Sequence, residues 1–370
     1  MKTARWMSCW CAAAVLALPS ARAADVAAMR AAVAKASAFL IEQGQADDGS
    51  FSAQAGPAVT ALAVTALVKT GTPTDAPAVR RGLESLLRFR QEDGGIHPAD
   101  SAVANYETSI ALVALATCNR DGRYDGQIKS AQDFVRGLQW DDGEGHGAAD
   151  PAYGGAGYGR KKRPDLSNTA FLVEALRELG AGADDPAIQR ALVFVSRTQN
   201  LEGAHNTLPF PAKNPDGGFY YTPAAGGESQ AGTTPEGGLR SYGSMTYAGL
   251  KSMIFAGLTR NDPRVKAAIE WLAKRYTFAE NPGLGDAGLY YYFHTAAKAL
   301  DALGEDSFVD ASGAKHAWRS ELADALITRQ QADGSWVNAN PRWMEGDPNL
   351  VTSYALLALA SCLPKAPATP

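Results

Sequence analysis

The sequence predicts an all-α protein made of six helix hairpins, and three observations carry that prediction. A Thr stands seven residues ahead of a Leu or Met five times, at Thr60 and Leu67, Thr108 and Leu115, Thr169 and Leu176, Thr246 and Met253, and Thr352 and Leu359. Phe293 and Leu300 make a sixth copy. Residues between these ends are small or apolar, which marks helices buried on most sides. Ahead of each copy runs a more charged, amphipathic stretch, and between the two sits a recurring Gln, Asp and Gly turn. One such unit cannot bury its apolar face alone, so the copies must stack.

The chain opens with Lys2 and Arg5, an apolar run from Ser8 to Leu18, and Ala21-Arg22-Ala23. That is the pattern of a secretory signal over residues 1–23, cleaved before Ala24, and the run is too short to span a bilayer. The expected location is therefore exported, in a bacterial periplasm. Loss of Lys2, Arg5 and Arg22 takes the formal charge from −4 to −7. An acidic chain offers nucleic acid no basic face, and no later apolar run predicts stable membrane insertion. The short basic cluster Arg160-Lys161-Lys162-Arg163 reads either as a solvated loop or as a clamp for an anionic group.

Outer helices are predicted at Val26 to Gln43, Pro77 to Arg90, Gln127 to Leu138, Pro186 to Thr198, Pro263 to Tyr276 and Lys315 to Gln330. Asp185-Pro186 and Asp262-Pro263 are start signals, because Pro suits the first helical position. The turns read Gln45 to Phe51, Gln91 to Ile96, Gln139 to Gly143 and Gln330 to Trp336. Gln199 to Gly203 is a weaker copy, Asn214 to Phe219 a displaced one, and Asn281 to Gly285 a decayed one. Gly supplies the positive φ that ends a helix, and the residue after it pins the loop to the core.

Two connections, Gln139 to Pro164 and Asn200 to Ser241, exceed the ~12–15 residues of ordinary links. Their glycines are interleaved with aromatics, which predicts ordered loops folded over an opening. Asp310 to Gly313 predicts a turn, and Pro364 to Pro370 a frayed tail.

The Gln-X-X-Asp-Gly-X-Trp turns between paired helices resemble the repeats shared by squalene cyclases and protein prenyltransferase β subunits. The resemblance covers residues 24–363 and implies an (α/α)6 toroid, with every inner helix starting at one mouth and long loops above it. In such a ring Cys118 and Cys362 sit at equal heights on inner helices that are not neighbours. With ~8–10 Å between adjacent axes they are too far apart to bridge, so two buried thiols are expected.

Six parallel inner helices present free N–H groups and dipoles at one rim. Residues at those starts are the candidate site: His294, Tyr242, Asp165 and Glu107 as catalytic groups, and Tyr106, Asn168, Arg240, Tyr291, Tyr292, Trp343, Glu345 and Asp347 as ligand contacts. Cyclases that protonate an alkene carry Asp-X-Asp-Asp-Thr-Ala at an inner helix start, the third residue being the acid. Asp165-Leu166-Ser167-Asn168-Thr169-Ala170 falls on that motif with Ser167 where the acid belongs, which disfavours that chemistry. Tyr292-Phe293-His294-Thr295 resembles the prenyltransferase segment holding a zinc-binding His, but its Asp-X-Cys partners are missing, so no metal or other cofactor is expected.

Three functions remain open on these residues. The cavity binds an apolar, isoprenoid- or lipid-like molecule; or it is a glycan-active lyase or hydrolase on the same scaffold; or the toroid is a non-catalytic module gripping a protein. The resemblance favours the first, and residue spacing alone favours neither of the first two. Oligomeric state is not legible.

Overall fold

The computed structural model describes residues 26–159 and 162–364. Among them, six outer helices are α1 (Val26–Phe39), α3 (Pro77–Leu87), α5 (Asp125–Arg136), α7 (Pro186–Arg197), α9 (Pro263–Ala273) and α11 (Trp318–Ile327). The inner six are α2 (Pro57–Lys69), α4 (Ala104–Cys118), α6 (Leu166–Glu178), α8 (Gly243–Phe255), α10 (Leu289–Leu303) and α12 (Pro348–Cys362). Each inner helix packs on the next, and α12 returns to α2, so the ring is closed. The signal at residues 1–23 and nearly all of the tail lie outside the described residues.

The recurrent Thr and Gln have definite mechanical roles. The hydroxyls of Thr60, Thr108, Thr169, Thr246 and Thr352 accept the backbone N–H of Phe51, Ile96, Ala156, Phe219 and Trp336 at 2.9–3.1 Å, tying each turn to its inner helix. The Gln45 amide donates to Gly49 O at 3.0 Å in its own turn and to Ala78 O at 2.8 Å in the next outer helix. Gln139 and Gln199 repeat this toward α7 and α9. Gln330 does so onto Ala32 O of α1 at 2.9 Å, which closes the circle. Gly49 has φ 85°, and a Cβ there would lie 2.3 Å from Arg81 O of the next outer helix. The turn therefore needs both the handedness and the bareness of glycine.

Four readings are corrected. The third turn is completed by Gly154, not Gly143: Gln139 bonds Gly154 O, while Asp142–Glu144 forms a separate 3₁₀ turn inside the insertion. The fourth turn is the displaced copy, since Gln199 bonds Gly217 O. The first outer stretch is α-helical only to Phe39 and continues as a π turn over Leu40–Gly44. Lys315 and His316 are not helical but pair with Phe308–Val309 as a two-stranded hairpin, because the Asp310 carboxylate turns the backbone by accepting from Ser312 N and Ala314 N. Cys118 and Cys362 are buried free thiols. No helix among the described residues is long and apolar enough to cross a membrane.

Candidate functional site

A cavity of about 240 Å³ opens at the rim where the inner helices start. Its walls come from Tyr106 of α4, Ser167, Asn168 and Phe171 of α6, Met245 of α8, Tyr291 of α10 and Tyr354 of α12, with Tyr242 just before α8. Loop residues Tyr158, Tyr221, Gln230, Trp343, Met344 and Glu345 complete the mouth. Helix geometry explains the selection. Counted from the repeat's Thr or its Phe293 equivalent, Tyr106, Ser167 and Tyr291 stand two residues before, and Phe171 and Tyr354 two after. Positions four apart share one helix face, here the one turned to the ring axis.

Six of the residues named from sequence line the cavity: Tyr106, Asn168, Tyr242, Tyr291, Trp343 and Glu345. Asp165 and His294 lie behind the wall. Asp165 caps α6, accepting from Asn168 N at 2.9 Å and from Asn168 Nδ2 at 2.7 Å. Tyr221 lies near enough to act on its charge, and Asn168 and Tyr221 both line the cavity, so the carboxyl sits directly behind two wall residues. His294 stacks on Tyr354 with ring centroids 5.4 Å apart, and its Nδ1 has no hydrogen-bond partner.

The other four are not brought to the cavity. Glu107 is buried between the first two repeats, where its carboxylate accepts from Ser101 Oγ at 2.6 Å and presses on Gly56. Tyr292 is turned by about 100° from Tyr291, packs on Tyr247 and Phe278, and donates its hydroxyl to Thr277 O at 2.6 Å. Asp347 is the N-cap of α12 and also holds Ser52 Oγ at 2.9 Å. Arg240 is exposed and donates from Nε to Thr233 O at 2.8 Å. A residue at a helix start shares the rim's height, but its azimuth decides whether it meets the axis.

Sequence reasoning missed Phe171, Tyr354, Tyr158 and Tyr221. The first two were discoverable by extending the axis-facing register one turn down each helix; the loop tyrosines left no periodic signal. The same register, five residues after the Thr, yields Glu174, Lys251 and Lys298 below the cavity. Both lysines pair with Glu174, two oxygens serving two ammonium groups. Burial pushes the Glu174 carboxyl up, but the two ammonium groups outweigh it and hold it well below the carboxylate range.

Protonation states sort the wall by chemistry. Burial raises Asp165 to about 6 against its hydrogen bonds, so it exchanges a proton near neutral pH. Burial and the nearby Lys298 lower His294 to about 3, leaving a neutral imidazole. Burial lifts Tyr106 to about 12 and Tyr242, Tyr291 and Tyr354 higher still, so their hydroxyls stay protonated. Glu345, raised by burial, is committed to structure: it accepts Tyr291 N at 2.8 Å, Tyr290 N at 3.2 Å and Asn338 Nδ2 at 2.6 Å, capping α10, which lacks a cap of its own.

A polar strap crosses the mouth. Arg342 donates to Gln230 Oε1 at 2.6 Å, Gln230 donates to Glu228 Oε1 at 2.7 Å, and Glu228 pairs with Arg163. Next to Arg342, Trp343 and Met344 have φ 55° and 65°, consecutive left-handed residues without glycine's freedom. Among the described residues no group of three His, Cys, Asp or Glu side chains is placed to hold a metal ion.

The family model described as squalene-hopene cyclase C-terminal domain matches residues 45–222. No curated protein sequence matches the chain. Among solved structures, the apo type II terpene cyclase MstE from Scytonema aligns with a TM-score of 0.56 at 16% identity, covering 91% of this chain and 98% of that one. A possible member of the GH105 family from Salmonella enterica aligns at 0.56 and 12% identity, covering 95% and 97%. A polysaccharide lyase aligns at 0.55 and 10%, covering 91% and 96%. Identities this low speak to the fold alone. The chain thus has the closed (α/α)6 toroid fold, and its residues 45–222 are similar to the squalene-hopene cyclase C-terminal domain.

Proposed function

We propose that this protein, exported to the periplasm, binds a small apolar molecule of isoprenoid or lipid character in the rim cavity, and that any transformation there does not begin with protonation of an alkene by a cyclase-type acid. The supporting observation is the wall itself: among the described residues, seven tyrosines and phenylalanines, a tryptophan and two methionines, with Glu345 as the one carboxyl. Sugar rings demand many directed hydrogen bonds, whereas the hydroxyls of Tyr106, Tyr354, Ser167 and Tyr291 already serve one another. At about 240 Å³ the cavity falls just short of the ~300–1,000 Å³ of ordinary ligand sites, which suits a short chain or a few rings. Asp165, bonded to the wall residue Asn168, is the group suited to move a proton at neutral pH.

Calorimetric titration with C10 and C15 isoprenoid alcohols, beside a panel of uronate and neutral oligosaccharides, tests this. Saturable binding of the alcohols, weakened at least tenfold in Tyr291→Ala, is expected. Binding of an oligosaccharide with none of the alcohols overturns the reading in favour of the glycan-active alternative, and its cleavage would make that alternative an enzyme.

A further inference from the structure

Four of the aromatic wall residues form a closed circuit. Tyr106 meets Phe171 edge to face, with centroids 5.1 Å apart and planes at 81°. Phe171 lies 6.1 Å from Tyr291 at 37°, and Tyr291 lies 6.0 Å from Tyr354 at 61°. The hydroxyls of Tyr354 and Tyr106 then close the loop at 3.3 Å. These rings come from α4, α6, α10 and α12, so the circuit encircles the axis rather than forming a stack on one wall. Every one of them lines the cavity, and among the described residues no Lys, Arg or His does.

Ring faces carry negative electrostatic potential, and several rings around one point attract a weakly hydrated cation more than a neutral group of the same shape. The mouth already uses this force: the Arg342 guanidinium sits 4.1 Å over Trp343, and Arg163 5.7 Å over Tyr221. An anionic head placed among the four rings would meet phenol oxygens and π faces, with no cationic side chain among the described lining residues to pair with it.

We infer that the ligand of this cavity carries a substituted ammonium group, quaternary or nearly so, seated among Tyr106, Phe171, Tyr291 and Tyr354, with its apolar remainder against Tyr158, Tyr221, Trp343 and Met344. This rests on the proposal that the cavity takes an apolar molecule, and adds the charge of its head. An ordinary ammonium, strongly hydrated, is a poorer fit than a methylated one, because the wall returns few hydrogen bonds for those it strips away.

Three probes sharing one C10 isoprenoid tail test the inference: a trimethylammonium, its neutral tert-butyl isostere and a monophosphate, each titrated calorimetrically into the full protein. Binding of the cation at least tenfold tighter than the isostere is expected, with the phosphate weakest. Tyr354→Phe, which keeps the ring, should retain that preference; Tyr354→Leu should reduce it several-fold, with melting curves confirming that both variants fold. If the isostere binds as well as the cation, or the phosphate binds best, the ammonium assignment is overturned while the apolar-ligand proposal stands. If no probe binds, both fall.

Discussion

Ser167 and Tyr291 share a hydrogen bond 3.0 Å long between α6 and α10, at the point where the cyclase motif would carry its acid. The missing carboxyl is thus replaced by a neutral pair that ties two inner helices together. Ser167→Asp would restore the motif residue beside buried Asp165, two like charges in an apolar wall. At pH 8 the variant should lose about 2–3 kcal/mol of stability. Near pH 5, where the new carboxyl accepts a proton, most of that loss should return. Urea titrations at the two pH values check it, and equal losses at both would contradict the account.

Asp165 links stability to pH in a definite direction. Its folded value of about 6 lies above the ordinary 3.8 because of burial. Between those values the folded state holds a proton that the unfolded state has released, so this group lowers stability as pH rises from about 4 to 6, by about 3 kcal/mol in all. Asp165→Asn keeps an acceptor for Asn168 N and removes the titration. Melting temperatures from pH 4 to 7 should therefore fall less steeply with pH in the variant than in the native chain.

The charge cluster below the cavity behaves oppositely. Glu174 is 5% exposed and Lys251 4%. Glu174→Gln leaves the buried Lys251 and the partly buried Lys298 ammonium groups without a counter-charge and should cost about 3–5 kcal/mol at pH 7. Glu174 has a depressed folded pKa, so its contribution is present above the unfolded carboxyl range and is lost as pH falls below it. The gap between native and variant should therefore narrow under acid. Replacing all three residues by Leu and Met should recover most of the loss at pH 7, and failure to do so would mean that the cluster does more than fill the lower axis.

Trp343 and Met344 test the strain at the mouth. A left-handed non-glycine residue costs roughly 1–2 kcal/mol, and Met344 is 46% exposed, so little packing is forfeited with its side chain. Met344→Gly should leave stability unchanged or raise it by up to about 1 kcal/mol. A drop larger than 1 kcal/mol in denaturant titration would show that its cavity contacts outweigh the backbone term.

Ring closure rests on Gln330, which reaches from the last turn to Ala32 O of the first helix. Gln330→Ala strands that carbonyl and Gly334 O and should cost about 1–3 kcal/mol. Hydrogen exchange should show the loss first in α1 and α11, the two outer helices at the seam.

Much of the scaffold was legible because it is periodic. A Thr that anchors a loop and a Gln that spans two repeats recur at fixed spacing, since each repeat solves the same packing problem, and the inner helices followed from that spacing. Where an insertion separates Gln139 from Gly154, local pattern pointed to the wrong glycine, and for Gln199 it offered both Gly203 and the displaced Gly217, because the bond that defines the turn ignores what lies between. Candidate residues fared according to azimuth: Tyr291 and Tyr292 are adjacent, equally aromatic and at the same rim, yet one lines the cavity and the other faces α8 and Phe278.

By itself the sequence determined the repeat, the buried inner helices, the single polar rim and the absence of the cyclase acid at Ser167, all consequences of residue type and spacing along one chain. Tertiary structure alone decided which rim residues converge, how Tyr106, Phe171, Tyr291 and Tyr354 form one circuit, and where Glu174 meets two lysines. Those are relations between helices whose rotations are set only when the ring closes, because the angle at which each helix faces the axis depends on packing against both neighbours.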